Sequence, residues 1–253
     1  MRDFSLASYL RIVSALRDRG LGVYPVRDWM RHKPASGVVM RHDVDRRPGN
    51  AVAMARAESA AGIKATYYFR VVGSANNPEA MKAVAELGHE VGYHYEDLSL
   101  AKGDVQKALK LFGQHLSEIR KNASVDTIMM HGSPLSRHYN LGMWAQASPI
   151  DFGLMGDAFL HLDYRDTVYL TETGRSWKSS SANLRDRPPD ALEAQLDDGG
   201  TQAVLSFLTR SKAKRFAFSV HPERWDAGLV GWTMQYGKDA LANGAKRLIR
   251  MLR

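Results

Sequence analysis

Asp43 and Asp45 stand two apart, directly after the apolar run Val38-Val39-Met40 and Arg41-His42. Residues two apart on an extended segment point to one face, roughly 6–7 Å from each other along the chain. Two carboxylates with different neighbours can hold different roles, one gripping a cation and the other handling a proton. The same spacing recurs at His94 and Glu96, after Val91-Gly92-Tyr93. His131 follows Thr127–Met130, and His221 follows Phe216–Val220. Arg70 follows Ala65–Phe69, and Glu172 and Arg175 follow Val168-Tyr169-Leu170. Aspartate and histidine without cysteine suit a divalent metal bound through oxygen and nitrogen, zinc first and cobalt or nickel after it. His131 is a candidate metal ligand or substrate contact, and His221 a candidate general acid or base. Arg70, Arg137 and Arg175 could grip an anionic part of a substrate, Glu96 is a further candidate contact, and Trp225 and Trp232 could line a sugar cleft. His89 has the opposite strand parity to His94 and reads as structural. Plainer roles compete: a helix cap for Asp43 or Asp45, and a hydrogen-bonded core or loop residue for His131 and His221.

These side chains need a frame that brings strand ends together. Leu6, Leu10, Val13 and Leu16 recur at helical spacing, which predicts a helix over residues 5–19, stopped by Gly20 and Gly22. Pro48 and Asn50 open a helix through Ala51–Ala61 that Gly62 closes, and residues 78–87 predict another before Gly88. Asp104 is placed to cap a long amphipathic helix marked by Val105, Leu109, Phe112, Leu116 and Ile119. The apolar runs between these helices are β-branched and aromatic, as buried strands are. Strands alternating with helices predict βα units and a parallel sheet or barrel. The carboxyl ends of parallel strands share one face, so polar residues scattered along the sequence can converge there.

The chain has 253 residues, 44% hydrophobic and 25% charged, which excludes a disordered or collagen-like reading. It reads as a single domain over 1–253. There is no cysteine, so disulfide scaffolds and thiolate metal sites are excluded. No apolar run approaches the ~18–20 residues of a membrane helix, and Met1–Ser5 lacks an apolar leader core, so a cytoplasmic protein is expected. A net charge of +8, scattered along the chain, favours an anionic small molecule over nucleic acid. Ser179–Pro189 reads as a loop or flap, and Asp239–Arg253 as a helix packed on the barrel or a basic amphipathic helix at a lipid surface.

The order of motifs resembles the polysaccharide deacetylases with a NodB homology domain, carbohydrate esterase family four. The resemblance is carried by Arg41-His42-Asp43-Val44-Asp45, Ala65–Phe69, Gly88-His89-Glu90-Val91-Gly92-Tyr93-His94, the turn His131–Pro134 and Phe218–His221. It implies a distorted (β/α)7 barrel and metal-dependent removal of an N- or O-acyl group from a sugar. It implies Asp43 as catalytic base, Asp45 and His94 as metal ligands and His221 as general acid. The family's second metal histidine, four residues after the first, is Leu98 here, and its arginine before the proline turn is His131. Glu96 or His131 then completes the ligand set; His131 is preferred because it preserves a nitrogen ligand.

The expected function is removal of an acetyl or formyl group from an amino sugar, nucleotide- or lipid-linked, in surface polysaccharide metabolism. Three rivals stand beside it. One is a phosphohydrolase, for which His42-Asp43 is a superficial match. Another is an inactive descendant that binds a glycan or a protein, for which Leu98 speaks. The third is association with a membrane surface or nucleic acid.

Overall fold

The computed structural model describes residues 2–133, 136–178, 185 and 187–239. Its strands are β1 (Val23–Tyr24), β2 (Gly37–Val44), β3 (Thr66–Phe69), β4 (Glu90–Tyr95), β5 (Thr127–Met130), β6 (Gly156–Asp157), β7 (Thr167–Thr171), β8 (Leu192–Glu193) and β9 (Arg215–Val220). Its helices are α1 (Leu6–Asp18), α2 (Val26–His32), α3 (Pro48–Ala60), α4 (Pro78–Glu86), α5 (Asp97–Leu100), α6 (Val105–Arg120) and α7 (Thr201–Arg210). Residues 229–239 are also helical. Among the described residues no helix is long and apolar enough to cross a membrane.

Every strand pairing is parallel, in the order β6-β5-β4-β3-β2-β9-β7-β8, with β1 beside the start of β2. The chain walks outward from β2 to β6, crosses to β7 and β8, and returns so that β9 lies against β2. The last strand thus neighbours the first long one, and the sheet curls into a half-barrel of the distorted (β/α) type that the sequence predicts. All described carboxyl ends face one way.

The helices begin where local chemistry starts them. Ser5 caps α1 and shares a capping box with Ser8, while Tyr9, Ile12, Val13 and Leu16 are buried. Asn77 caps α4 ahead of Pro78, and Asp104 caps α6 through the amide of Lys107. The short elements β1, α2, β6 and β8 lack a pattern strong enough to read from sequence, whereas α7, with Ala203, Val204 and Leu208 buried, is an amphipathic helix that the sequence reading omits. Residues 240–253 and most of 179–189 lie outside the described residues, so the readings of a flap and a terminal amphipathic helix do too.

Alternation divides each strand between two environments. On β2, His42 meets Glu58 of α3 at 2.8 Å, while Arg41 and Asp43 face the barrel interior. Tyr67 of β3 also turns outward, its hydroxyl donating to Glu58 at 2.6 Å. Inside, Glu90 accepts from Thr66 at 2.6 Å, Thr127 at 2.5 Å and the Arg27 amide at 2.8 Å, which plugs the amino-terminal end. Burial still pushes its carboxyl upward. Above it, Gly92 leaves room for the ring of Tyr68. A Cβ at position 92 would stand 2.3 Å from that ring and 2.8 Å from the Thr127 carbonyl oxygen. Gly92→Ala therefore overpacks the interior and should cost about 3 kcal/mol in urea unfolding; an unchanged midpoint would contradict this packing.

Candidate active site

Five of the residues singled out in the sequence gather at the carboxyl ends of the strands. β2 delivers Asp43 and Asp45, β4 delivers His94, β5 leads into His131 and β9 into His221. Asp45, His94 and His131 each present one donor atom, and the three atoms lie within 4.8 Å of one another. Asp45 Oδ1 is 3.7 Å from His94 Nε2 and 3.6 Å from His131 Nε2.

The protonation pattern follows from the outer partners of each ring. His94 Nδ1 is 3.0 Å from the Met129 carbonyl oxygen, which only accepts. Nδ1 therefore carries the hydrogen and Nε2 keeps its lone pair. Burial lowers the His94 pKa to about 4, so the ring is neutral at ordinary pH. His131 Nδ1 is 3.0 Å from Glu96 Oε2, which fixes that ring in the same sense. Asp45 Oδ1 is buried and has no hydrogen-bond partner. A buried orphan carboxylate oxygen is costly unless something else satisfies it.

Donors sharing one small cation at roughly 2.0–2.2 Å stand about 3–4 Å apart, as Asp45 Oδ1 does from each histidine nitrogen. The set of one carboxylate and two imidazoles fits zinc or a similar divalent ion and would hold it through Asp45, His94 and His131. Burial disfavours an ionised Asp45, but His131, His94, His221 and Arg70 together hold its carboxyl well below the usual range.

Asp43 lies beside this cluster, buried, with Arg41 Nη1 contacting both of its oxygens and the Ser219 hydroxyl donating at 3.3 Å. Arg41 Nη2 donates to Tyr169 at 2.7 Å, so the guanidinium is fixed. Burial opposes ionisation of Asp43, while Arg41, His94 and His221 hold its pKa below the ordinary value. The His221 amide donates to Glu172 Oε1 at 2.8 Å, and its ring Nδ1 is 3.4 Å from the same oxygen. Burial and Arg224 work against a charged His221. Glu172 and Glu223 outweigh them and raise its pKa to about 9.

Other candidates go elsewhere. Glu96 does not line an open surface: it binds Arg70 at 2.6 and 2.7 Å and orients His131. Burial opposes its ionised form, but His131 and Arg70 hold its pKa at about 2. Arg175 points away from the cluster, pairs with Asp239 at 3.0 Å and lies over Trp232. Trp225 is a core residue, 2% exposed, among Phe4, Tyr9 and Trp177, so it lines no cleft. Trp232 stacks on Tyr236. Arg137 is exposed on the loop after β5. His89 is structural, as its parity suggests: Nδ1 accepts from the Ala65 amide and Nε2 faces the Ala55 carbonyl. Leu98 packs in the hydrophobic core.

Asn140 is a supporting residue that sequence reasoning missed. It donates to the His131 carbonyl at 2.7 Å and to the Ser133 hydroxyl at 3.1 Å, and it accepts from the Ser99 amide at 3.0 Å. It holds the His131 loop where Ser133 adopts a left-handed φ of 40°. No local pattern marks a residue whose role is to receive a loop nine positions away. Pro134 lies outside the described residues.

No family model and no curated protein matches the chain. Solved structures do. The chain resembles family 4 carbohydrate esterases. The esterase of Streptomyces lividans is 13% identical over 83% of this chain and 90% of its own, with a TM-score of 0.43. A Streptococcus mutans esterase of the same family is 14% identical over 81% of each chain, with a TM-score of 0.46. A peptidoglycan deacetylase of Bacillus subtilis is 13% identical over 86% and 98%, with a TM-score of 0.41.

The elevated His221 pKa has a consequence for stability. A group whose folded pKa is raised stabilises the fold fully below its unfolded value, near 6.5, and loses that contribution as pH climbs through the folded value, about 9. The metal-free wild type should therefore lose up to about 3 kcal/mol between pH 6.5 and 9.5 relative to His221→Gln, measured by urea unfolding. Parallel pH dependences would contradict the assignment.

Proposed function

We propose that this protein is a metal-dependent hydrolase that removes an N-acyl group, acetyl or formyl, from an amino sugar of surface polysaccharide metabolism. The carrying observation is the convergence of Asp45, His94 and His131 around an orphaned carboxylate oxygen, with Asp43 and His221 beside them. His131 takes the place that Leu98 leaves vacant as a ligand, so the altered motif keeps three donors.

Asp45, His94 and His131 would hold a divalent ion, which would supply Lewis acidity to the acyl carbonyl. Asp43, ionised and fixed by Arg41, accepts a proton from the attacking water. Arg41 keeps that carboxylate from turning away, and Ser219 aligns its second oxygen. His221 is protonated at neutral pH and gives its proton to the departing amine nitrogen. Glu172 holds that imidazolium in place. Arg70 is fully engaged by Glu96 and stands 4.0 Å from Asp45, so its role is to set the ligand cluster rather than to bind substrate. The charge of +8 suits an amino sugar linked to a nucleotide or a lipid phosphate.

The test is release of acetate or formate from a panel of N-acylated nucleotide sugars and glycolipids, with zinc, cobalt or nickel supplied. Asp43→Asn and His221→Gln should each keep their metal and lose about 10²–10⁴-fold in kcat. Turnover unaffected by both substitutions would refute these roles. No release from any member of the panel would favour the reading of an inactive fold that binds a glycan.

A further inference from the structure

His221 stands at one end of a buried chain of alternating charges that leaves the site. Glu172, 0% exposed, gives one oxygen to His221 and the other to Arg224 Nη1 at 2.9 Å. Arg224 Nη1 also reaches the Glu172 backbone carbonyl at 3.3 Å. Arg224 Nε lies 3.9 Å from Asp239 Oδ1, across a gap with no hydrogen bond made. Asp239 Oδ2 accepts from Arg175 Nε at 3.0 Å, and Gln235 donates to Oδ1 at 3.0 Å. Arg175 in turn donates to the Trp232 carbonyl at 3.3 Å and lies over the rings of Trp232 and Tyr236. Asp239, Gln235, Trp232 and Tyr236 all belong to the helix over residues 229–239.

Such a chain does more than glue the helix down. Glu172 is shared between two cations, so its pull on His221 depends on how much of Arg224 is compensated from behind. Asp239 supplies that compensation, and Arg175 draws part of it away. We propose that Asp239 and Arg224 are positioning residues for His221, which couples the seating of the helix over 229–239 to the proton-donating end of the site. The inference rests on the reading of His221 as a general acid. The charged groups facing His221 are Glu172 from the end of β7, Glu223 and Arg224 from its own loop, and Asp43 and Asp45 from β2. Asp239 acts on it only through Arg224 and Glu172.

The test follows the His221 ring by ¹⁵N-histidine NMR as the metal-free full chain is titrated. Asp239→Asn leaves Arg224 uncompensated and should lower the His221 midpoint by about half a unit to one unit, and Asp239→Glu should restore it. Arg175→Gln releases Asp239 towards Arg224 and should raise the midpoint. Opposite signs are the signature, because mere loosening of the helix would shift both variants alike. Shifts of one sign, or none, would overturn the proposal. Should Asp239→Asn fail to fold, Arg175→Gln alone decides: a rise supports the coupling and an unmoved midpoint ends it. The titration uses no substrate, so a failed search for deacylation leaves its result standing, and a null titration leaves the hydrolase reading intact.

Discussion

The architecture turns on one carboxylate oxygen. Asp45 Oδ1 is buried between two imidazoles and has no hydrogen bond. A carboxylate so placed is costly to maintain without a compensating charge, and much of the surrounding structure keeps it there. The Met129 carbonyl fixes one imidazole and Glu96 the other. Arg70 holds Glu96, and Asn140 holds the loop that carries His131. The parallel sheet makes this convergence possible because four strands deliver their last residues to the same face.

Around that point the barrel interior is layered by chemistry. Glu90 and two threonines close the amino-terminal end, Tyr68 fills the space that Gly92 leaves, and Arg41 stands between Tyr169 and Asp43. The upper layer separates two kinds of titrating group. His94 is stripped of its proton by burial, whereas His221 keeps its proton because Glu172 is ionised beside it. A lone-pair donor and a proton donor thus occupy one small site without sharing a role.

Much of this was legible in the sequence because strand alternation is simple. Asp43 and Asp45 share a face by parity, and each candidate at a strand end needed only a parallel sheet to meet the others. The choice of His131 over Glu96 as a donor has a geometric counterpart: Glu96 spends its oxygens on Arg70 and on His131 itself. What local sequence could not show were contacts made across the fold. Arg175 follows a strand, yet it turns to Asp239, 64 residues away. Trp225 follows a candidate acid, yet its ring belongs to the core. Asn140 and Arg224 act on partners that only the tertiary fold brings near. The short strands β6 and β8 have two residues each, too few for any periodicity to appear.

The central claim concerns the three donors, and elemental mass spectrometry of the purified chain tests it most directly. The wild-type chain should carry about one zinc, cobalt or nickel ion after reloading, and both Asp45→Asn and His131→Ala should lose it. An empty wild-type chain under metal-replete conditions, or a full complement of metal in His131→Ala, would contradict it.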